Sequence, residues 1–243
     1  MAAELVALKV DVILASGAGA PGAALAATSS IPIIMTATGD PERFVKNLAR
    51  PEGNITGFSQ NFAETSSKYV ELLRVLLPKL RRVSVIVSDP RQNRASLDRI
   101  RAAAKTSGVT VSEATSANAV ELEPALLAVA SSKSEALIVV PDPVFGVLMP
   151  QITKFAGEHR LPTMFGNSIY VELGGLMSYG VAPPALYYRA ATYVDKIFKG
   201  AKISELPVEF PTRIELTINM KTAKAIGVNI GQELRLRADR LIE

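Results

Sequence analysis

The sequence predicts an α/β fold built from mostly parallel sheets flanked by helices, divided into two lobes. Three observations carry that prediction. Five aliphatic runs each stop at a short polar loop and lead into a helix-like stretch: VDVILA–SGAG from position 10, IPIIMT–ATGDP from 31, VSVIV–SDP from 83, EALIVV–PDP from 135 and PTMF–GNS from 162. Strand and helix signals alternate along almost the whole chain, the pattern of right-handed βαβ crossovers. Three Pro- and Gly-rich extended stretches, 50–65, 174–184 and 206–216, look like passages between lobes and not like ordinary loops.

The elements follow in order. MAAELVALKV reads as the last turns of an amphipathic helix, with Leu5 and Leu8 on one face. Strand 10–15 leads into helix 21–29, and strand 31–36 into helix 41–49, which Asp40 caps and Pro41 starts. After a strand at 55–58, helix 62–77 ends at Pro78, and after strand 83–87, helix 91–107 ends at Gly108. Strand 109–114, helix 118–132, strand 135–140, helix 144–159 and strand 162–165 continue the alternation. A strand at 175–179, a helix at 184–199, an extended segment at 208–218 and helices at 220–226 and 232–238 complete it. The first lobe takes 1–57 and part of 180–215, the second takes 58–179, and 216–243 is assigned to neither. Hinges between the lobes would frame a cleft.

Composition removes several function classes. With 243 residues, 48% of them hydrophobic, the chain can bury a sizeable core. Net charge is +4, from 27 basic and 23 acidic residues that are interspersed, and the basic run Lys79–Arg82 reads as a solvated turn. Aromatics make up 6% and tryptophan is absent, so no base-stacking platform for nucleic acid is indicated. No cysteine means no disulfide, thiolate metal site or cysteine nucleophile. The single histidine, His159, sits at a helix end without metal-ligand or triad partners, so neither metal nor catalytic residues are expected. No apolar run is long enough to span a membrane, and the opening residues lack signal-peptide features.

The site is sought at the loops that follow the strands, because open parallel sheets bind ligands beyond their carboxyl ends. Those loops carry hydroxyls, carboxylates and an amide. Ser16 and Gly17 could hold a carboxylate through the hydroxyl and nearby backbone N–H groups, or Ser16 could cap the next helix. Thr36 and Thr38 repeat the arrangement one strand along, where Asp40 is foremost a cap. Ser88 and Asp89 end the next strand, and Asp89 is again first a cap. Asp142, between two prolines, is a stiffly held carboxylate suited to an ammonium group, or else a cap for 144–159. Phe145 could form an apolar wall or belong to the core, and Asn167 and Tyr179 could close the polar ring. Gly17–Gly22 formally matches GxGxxG, with Asp40 18 residues on, but no hydride-transfer partner follows. Asn54–Thr56 matches a glycosylation sequon that a hinge turn explains equally well.

The segments TATGDP, ARPEGNITGFS, ELLRVLLPKLRRVSVIV, LIVVPDPVF, EHRLPTMFG, GGLMSYG, YVDKIFKGAKISELPVEFPTRIELTINMKTAKAIGVNI and RADRLIE closely resemble the bacterial ABC-transporter substrate-binding family of type I periplasmic-binding fold, its tryptophan/tyrosine-type group in particular. The resemblance covers the whole chain. It implies a periplasmic or otherwise extracytoplasmic receptor, without cofactor, that hands a small carboxylate-bearing solute to a membrane permease. That solute would be an amino acid or related carboxylate, aromatic amino acids included. It also implies that Ser16 and Thr36 or Thr38 hold the α-carboxylate and that Asp142 meets the ammonium. The family's opening strand, helix, second strand and most of a second helix have no counterpart here, so the first lobe is expected to lack its first strands. Strand 10–15 is then expected to be a bare edge open to self-association. The alternatives are the sensing domain of a regulator, which would need a DNA-binding headpiece, and an NAD(P)-linked enzyme resting on Gly17–Gly22.

Overall fold

The computed structural model describes residues 1–243 apart from 18, 61, 182 and 212, and leaves the side chains of 183–185 undescribed; Ala18 of the glycine loop therefore lies outside the described residues. In chain order the elements are α1 (Ala2–Ala7), β1 (Ile13–Ser16), α2 (Ala20–Ala27), β2 (Ile33–Thr38), a 3-10 turn (Pro41–Arg43), β3 (Ile55–Ser59), α3 (Phe62–Leu76), β4 (Arg82–Val87), α4 (Arg94–Thr106) and β5 (Thr110–Thr115). There follow α5 (Ala119–Ser131), β6 (Ala136–Val139), α6 (Pro143–Glu158), β7 (Thr163–Phe165), α7 (Ser168–Glu172), β8 (Met177–Gly180) and α8 (Pro183–Phe198). A second 3-10 turn (Ile203–Glu205), β9 (Glu215–Asn219), α9 (Met220–Ile226), α10 (Gln232–Arg237) and β10 (Arg240–Ile242) complete the chain. Two compact units result: residues 1–62 with 183–212, and residues 63–182 with 213–243.

The first unit holds a parallel sheet in the order β1-β2-β3. One of its faces packs Ile13, Ala15, Ile33, Met35 and Ile55 against Ala24, Val45 and Val208. Helix α8 covers β2 and β3, and the Tyr193 ring lies 4.7 Å from that of Phe58. The second unit holds seven strands in the order β10-β9-β8-β7-β6-β4-β5, parallel except where β8 meets β9. Alternate residues of its central strands feed two cores. Val83, Val85, Ala136, Ile138 and Met164 pack with α3, α4, α9 and α10, while Ile86, Leu137, Val139 and Phe165 pack with α5 and α6. Strands sandwiched this way must be apolar on both faces, which is why they read as unbroken aliphatic runs. The edge strand β5 is half exposed, and its Glu113 pairs with Arg101 of α4.

Four local expectations are corrected. Helix 41–49 shrinks to the 3-10 turn, and the Asp40 side chain makes no cap bond. Asn47 Oδ1 instead accepts the N–H groups of Ala49 and Arg50, a local turn that competes with the helix before Pro51. The extended segment 208–218 is broken into a single bridge, Phe58 to Glu209, and the strand β9, because Pro207 and Pro211 have no N–H to give a ladder. Helix α7 and strand β10, five and three residues long, are too short to leave a periodic signal. The edge expected over 10–15 begins only at Ile13.

Strand β2 contains a register shift between Met35 and Thr38, and Ala37 there adopts a left-handed φ of 54°. Opposite it, Gly57 has φ of 138°, and a Cβ on it would lie 2.1 Å from the Met35 carbonyl oxygen. Only a glycine lets the two backbones approach this closely. Gly57→Ala is expected to destabilise the protein by about 2–4 kcal/mol in urea titration; an unchanged midpoint would show that the strands can separate at no cost.

Candidate functional site

In the first unit the polar residues gather where the strands stop. Ser16 and Thr36 are register partners at the ends of β1 and β2, and the Gly17 N–H donates to the Thr36 carbonyl at 3.1 Å. The bulge at Ala37 then sets Thr38 opposite Ser59. The Thr38 carbonyl accepts both the Ser59 hydroxyl and the Gln60 N–H, each at 2.9 Å. Thr36 and Thr38 are buried, yet among the described residues neither hydroxyl has a hydrogen-bond partner, and the same holds for the Gln60 side-chain oxygen. A buried polar atom left unmet costs about 1–3 kcal/mol. Three of them at one rim form a concentrated unmet demand. The Ser16 hydroxyl lies 3.4 Å from that of Tyr187 on α8, whose ring is half exposed.

Beside this rim, Glu209 is tied down by two groups of α8. Arg189 donates to one of its oxygens and the Tyr193 hydroxyl lies 3.0 Å from the other. The Tyr193 hydroxyl also donates to the Pro207 carbonyl at 2.7 Å, and burial, then the Glu209 bond, push its pKa up. These bonds fasten the segment after the second 3-10 turn to α8.

In the second unit, the strand order places the ends of β8, β7, β6 and β4 side by side, with Tyr179, Asn167, Asp142 and Ser88 in that succession. The chain leaves β4 toward β5 on one side and β6 on the other, so the gap between β4 and β6 is the topological switch point of the sheet. The Ser88 hydroxyl donates to Asp142 Oδ2 at 2.8 Å across that gap, and Asn93 donates to Ser88 at 3.2 Å. Asp142 Oδ1 accepts the Val144 N–H at 3.0 Å and caps α6, so the cap and ligand readings are compatible: two bonds leave a carboxylate further acceptor sites. The Tyr170 hydroxyl donates to the Asp142 carbonyl at 3.1 Å. Asn167 caps α7 through the Ile169 N–H and is nearly enclosed. Behind it Gly166 has no room for a Cβ, which would meet the Tyr69 hydroxyl at 2.5 Å and Pro141 at 2.4 Å. Tyr69 is fully buried, and burial raises its pKa.

One residue falls elsewhere than a ligand wall requires. Phe145 is enclosed in the core beneath α6, because it occupies an inward position of that helix. Tyr179 packs partly against the opposite core, leaving part of its ring uncovered. Asp89 holds the turn before α4 through Arg91 and Gln92, and not the helix itself. The Asn54 side chain is used structurally, donating to the Thr28 and Ile31 carbonyls. His159 is exposed and stacks on Phe155 at 4.1 Å. Among the described residues no group of three or more His, Cys, Asp or Glu could hold a metal ion. Gln60 and Tyr187 were missed by sequence reasoning, since a lone glutamine after a strand and a helical tyrosine carry no pattern.

Asp40, two residues past Thr38, has its pKa raised from the ordinary 3.8 by burial first, then by the hydrogen bond and negative charge of Glu42. A carboxyl whose folded pKa is raised contributes stability below its unfolded pKa and loses it as pH climbs through the folded value. Asp40→Asn is therefore expected to raise the melting temperature at neutral pH, with the gain vanishing below about pH 4. A pH-independent difference in thermal melts would show that its charge is not opposed.

A family model described as ABC transporter substrate binding protein matches residues 1–242. The tyrosine-binding protein of Clostridioides difficile is 30% identical over 244 aligned positions, covering 99% of this chain and 68% of its own length. The ABC domain from Streptococcus pneumonia solved in complex with L-Trp is 26% identical with a TM-score of 0.89, covering 100% of this chain and 84% of that one. A conserved domain protein from Vibrio cholerae gives the same identity and TM-score, covering 99% and 81%. A solute binding protein from Agrobacterium vitis with bound allitol, 14% identical over 92% of this chain and 80% of its own with a TM-score of 0.62, shares the fold alone.

Proposed function

Because the chain belongs to the ABC transporter substrate-binding protein family, we propose that it captures an aromatic α-amino acid without chemistry and delivers it to a membrane permease from an extracytoplasmic, periplasmic-type position. The observation that carries the reading is the pair of buried hydroxyls of Thr36 and Thr38, unpartnered among the described residues, toward the end of β2 in the first unit. With the Ser16 hydroxyl alongside, they form a donor-rich seat for a carboxylate, to which the Gly17 N–H, already given to the Thr36 carbonyl, adds nothing. In the second unit Asp142, held by Ser88 and by the start of α6, presents a fixed negative charge suited to an ammonium group. Asn167 and Tyr179 close the row at the neighbouring strand ends; Phe145, enclosed in its core, takes no part. The aromatic class is supported by relatives described as binding tyrosine and solved with L-Trp.

Micromolar capture requires about 8 kcal/mol, within reach of several charge-assisted bonds in a desolvated site. Thr38→Val replaces the unmet hydroxyl by a methyl of equal size. It is expected to leave the free protein as stable or more so while weakening L-tyrosine or L-tryptophan binding roughly 10- to 100-fold in calorimetry. Unchanged affinity would remove the hydroxyl from the site. Asp142→Asn keeps the helix cap and should weaken an amine-bearing ligand far more than an amine-free acid; equal losses would take Asp142 out of the ammonium role.

Self-association through the bare edge of β1 belongs to the same proposal. It is supported by β1 having one strand neighbour among the described residues and by Leu14 being 55% exposed. A dimer at micromolar concentration in analytical ultracentrifugation, lost in Leu14→Lys, is the expected result; a monomer throughout would refute it.

A further inference from the structure

Of the five buried side-chain oxygens that find no partner among the described residues, three lie at the first unit's rim, and the third belongs to Gln60. The other two, Ser178 and Thr217, are register partners inside the second unit's sheet. Gln60 lies one residue past β3 and is 2% exposed. Its N–H donates to the Thr38 carbonyl at 2.9 Å, which fixes its backbone beside the end of β2. That placement depends on the bulge: the register shift between Met35 and Thr38 brings Thr38 opposite Ser59, so the next residue stands beside the end of β2 that carries Thr36 and Thr38.

The three atoms differ in what they can accept. A threonine hydroxyl gives or takes a hydrogen bond, whereas an amide oxygen only takes one. Gln60 Oε1 is thus unsuited to a carboxylate and demands an N–H or O–H donor. An α-amino acid carries its carboxylate and its ammonium on the same carbon, so one rim can address both groups. The ammonium's three N–H donors also exceed what a single carboxylate takes. We propose that Gln60 is a specificity-determining residue that accepts a hydrogen bond from the α-ammonium of a solute whose carboxylate sits on Thr36 and Thr38. This rests on the amino-acid reading above.

The proposal distinguishes amino acids from the corresponding amine-free acids. The experiment is calorimetric titration of the wild type, Gln60→Met and Gln60→Asn with L-tyrosine and with 3-(4-hydroxyphenyl)propanoate, which lacks the ammonium. Methionine keeps the length and apolar volume without an acceptor, and asparagine keeps the amide but withdraws it by one carbon. Both variants should lose roughly tenfold or more for L-tyrosine while their weaker affinity for the amine-free acid stays within about twofold of the wild type. Equal losses for the two probes would mean that Gln60 faces the carboxylate through its NH2 group, and would overturn the proposal. Unchanged L-tyrosine affinity with a shifted melting temperature would overturn it too, since the oxygen would then be met by a buried water. If the wild type binds neither L-tyrosine nor L-tryptophan, the amino-acid reading itself fails and Gln60's role falls with it. Loss confined to the variants leaves that reading standing.

Discussion

Apolar strands buried on both faces can meet polar groups only at their ends, and this constraint organises the molecule. In the second unit β6 and β4 are enclosed above and below by helices, so side chains along them serve packing. Polarity enters where the chain turns out of the sheet: Ser88 after β4, Asp142 after β6, Asn167 after β7. Because these strands run parallel, the turns share one edge of the sheet. The hydroxyl of Ser88 reaches the Asp142 carboxylate across the gap where the crossovers diverge. A polar cluster is thereby assembled from residues far apart in sequence without any of them disturbing the core.

The first unit obeys the same rule but leaves its polar atoms unmet. Asp142 has Ser88 and a helix N–H, whereas the hydroxyls of Thr36 and Thr38 and the oxygen of Gln60 have no partner among the described residues. Desolvated groups without partners oppose folding, and their clustering at one rim fits a surface completed by a guest. On the proposed reading, stability given up there would be recovered when a solute supplies the missing bonds.

Backbone geometry makes that rim possible. The left-handed Ala37 and the register shift around it set Thr38 opposite Ser59 at the end of β2. Gly57 lies against Met35 where a side chain would collide with its carbonyl. Gly166 plays the comparable part in the second unit, giving the buried Tyr69 hydroxyl its space beneath the turn that carries Asn167. Such close approaches are positional requirements that a glycine among 16 does not announce.

The sequence by itself determined the alternation of strands and helices and the loops in which the chemistry would lie, since hydrophobic period, prolines and caps act over neighbouring residues. It marked Ser16, Thr36, Thr38, Ser88, Asp142 and Asn167 for the same reason: each stands at the end of an aliphatic run or just past it. Where signals competed locally it misled, as at 41–49, where the Asn47 turn displaced a helix. Tertiary structure alone decided the strand order that makes Ser88 and Asp142 partners, the enclosure of Phe145 and the stranding of Gln60's oxygen. Those outcomes depend on which surfaces meet across dozens of residues, and a linear pattern carries no record of a neighbour contributed by another strand.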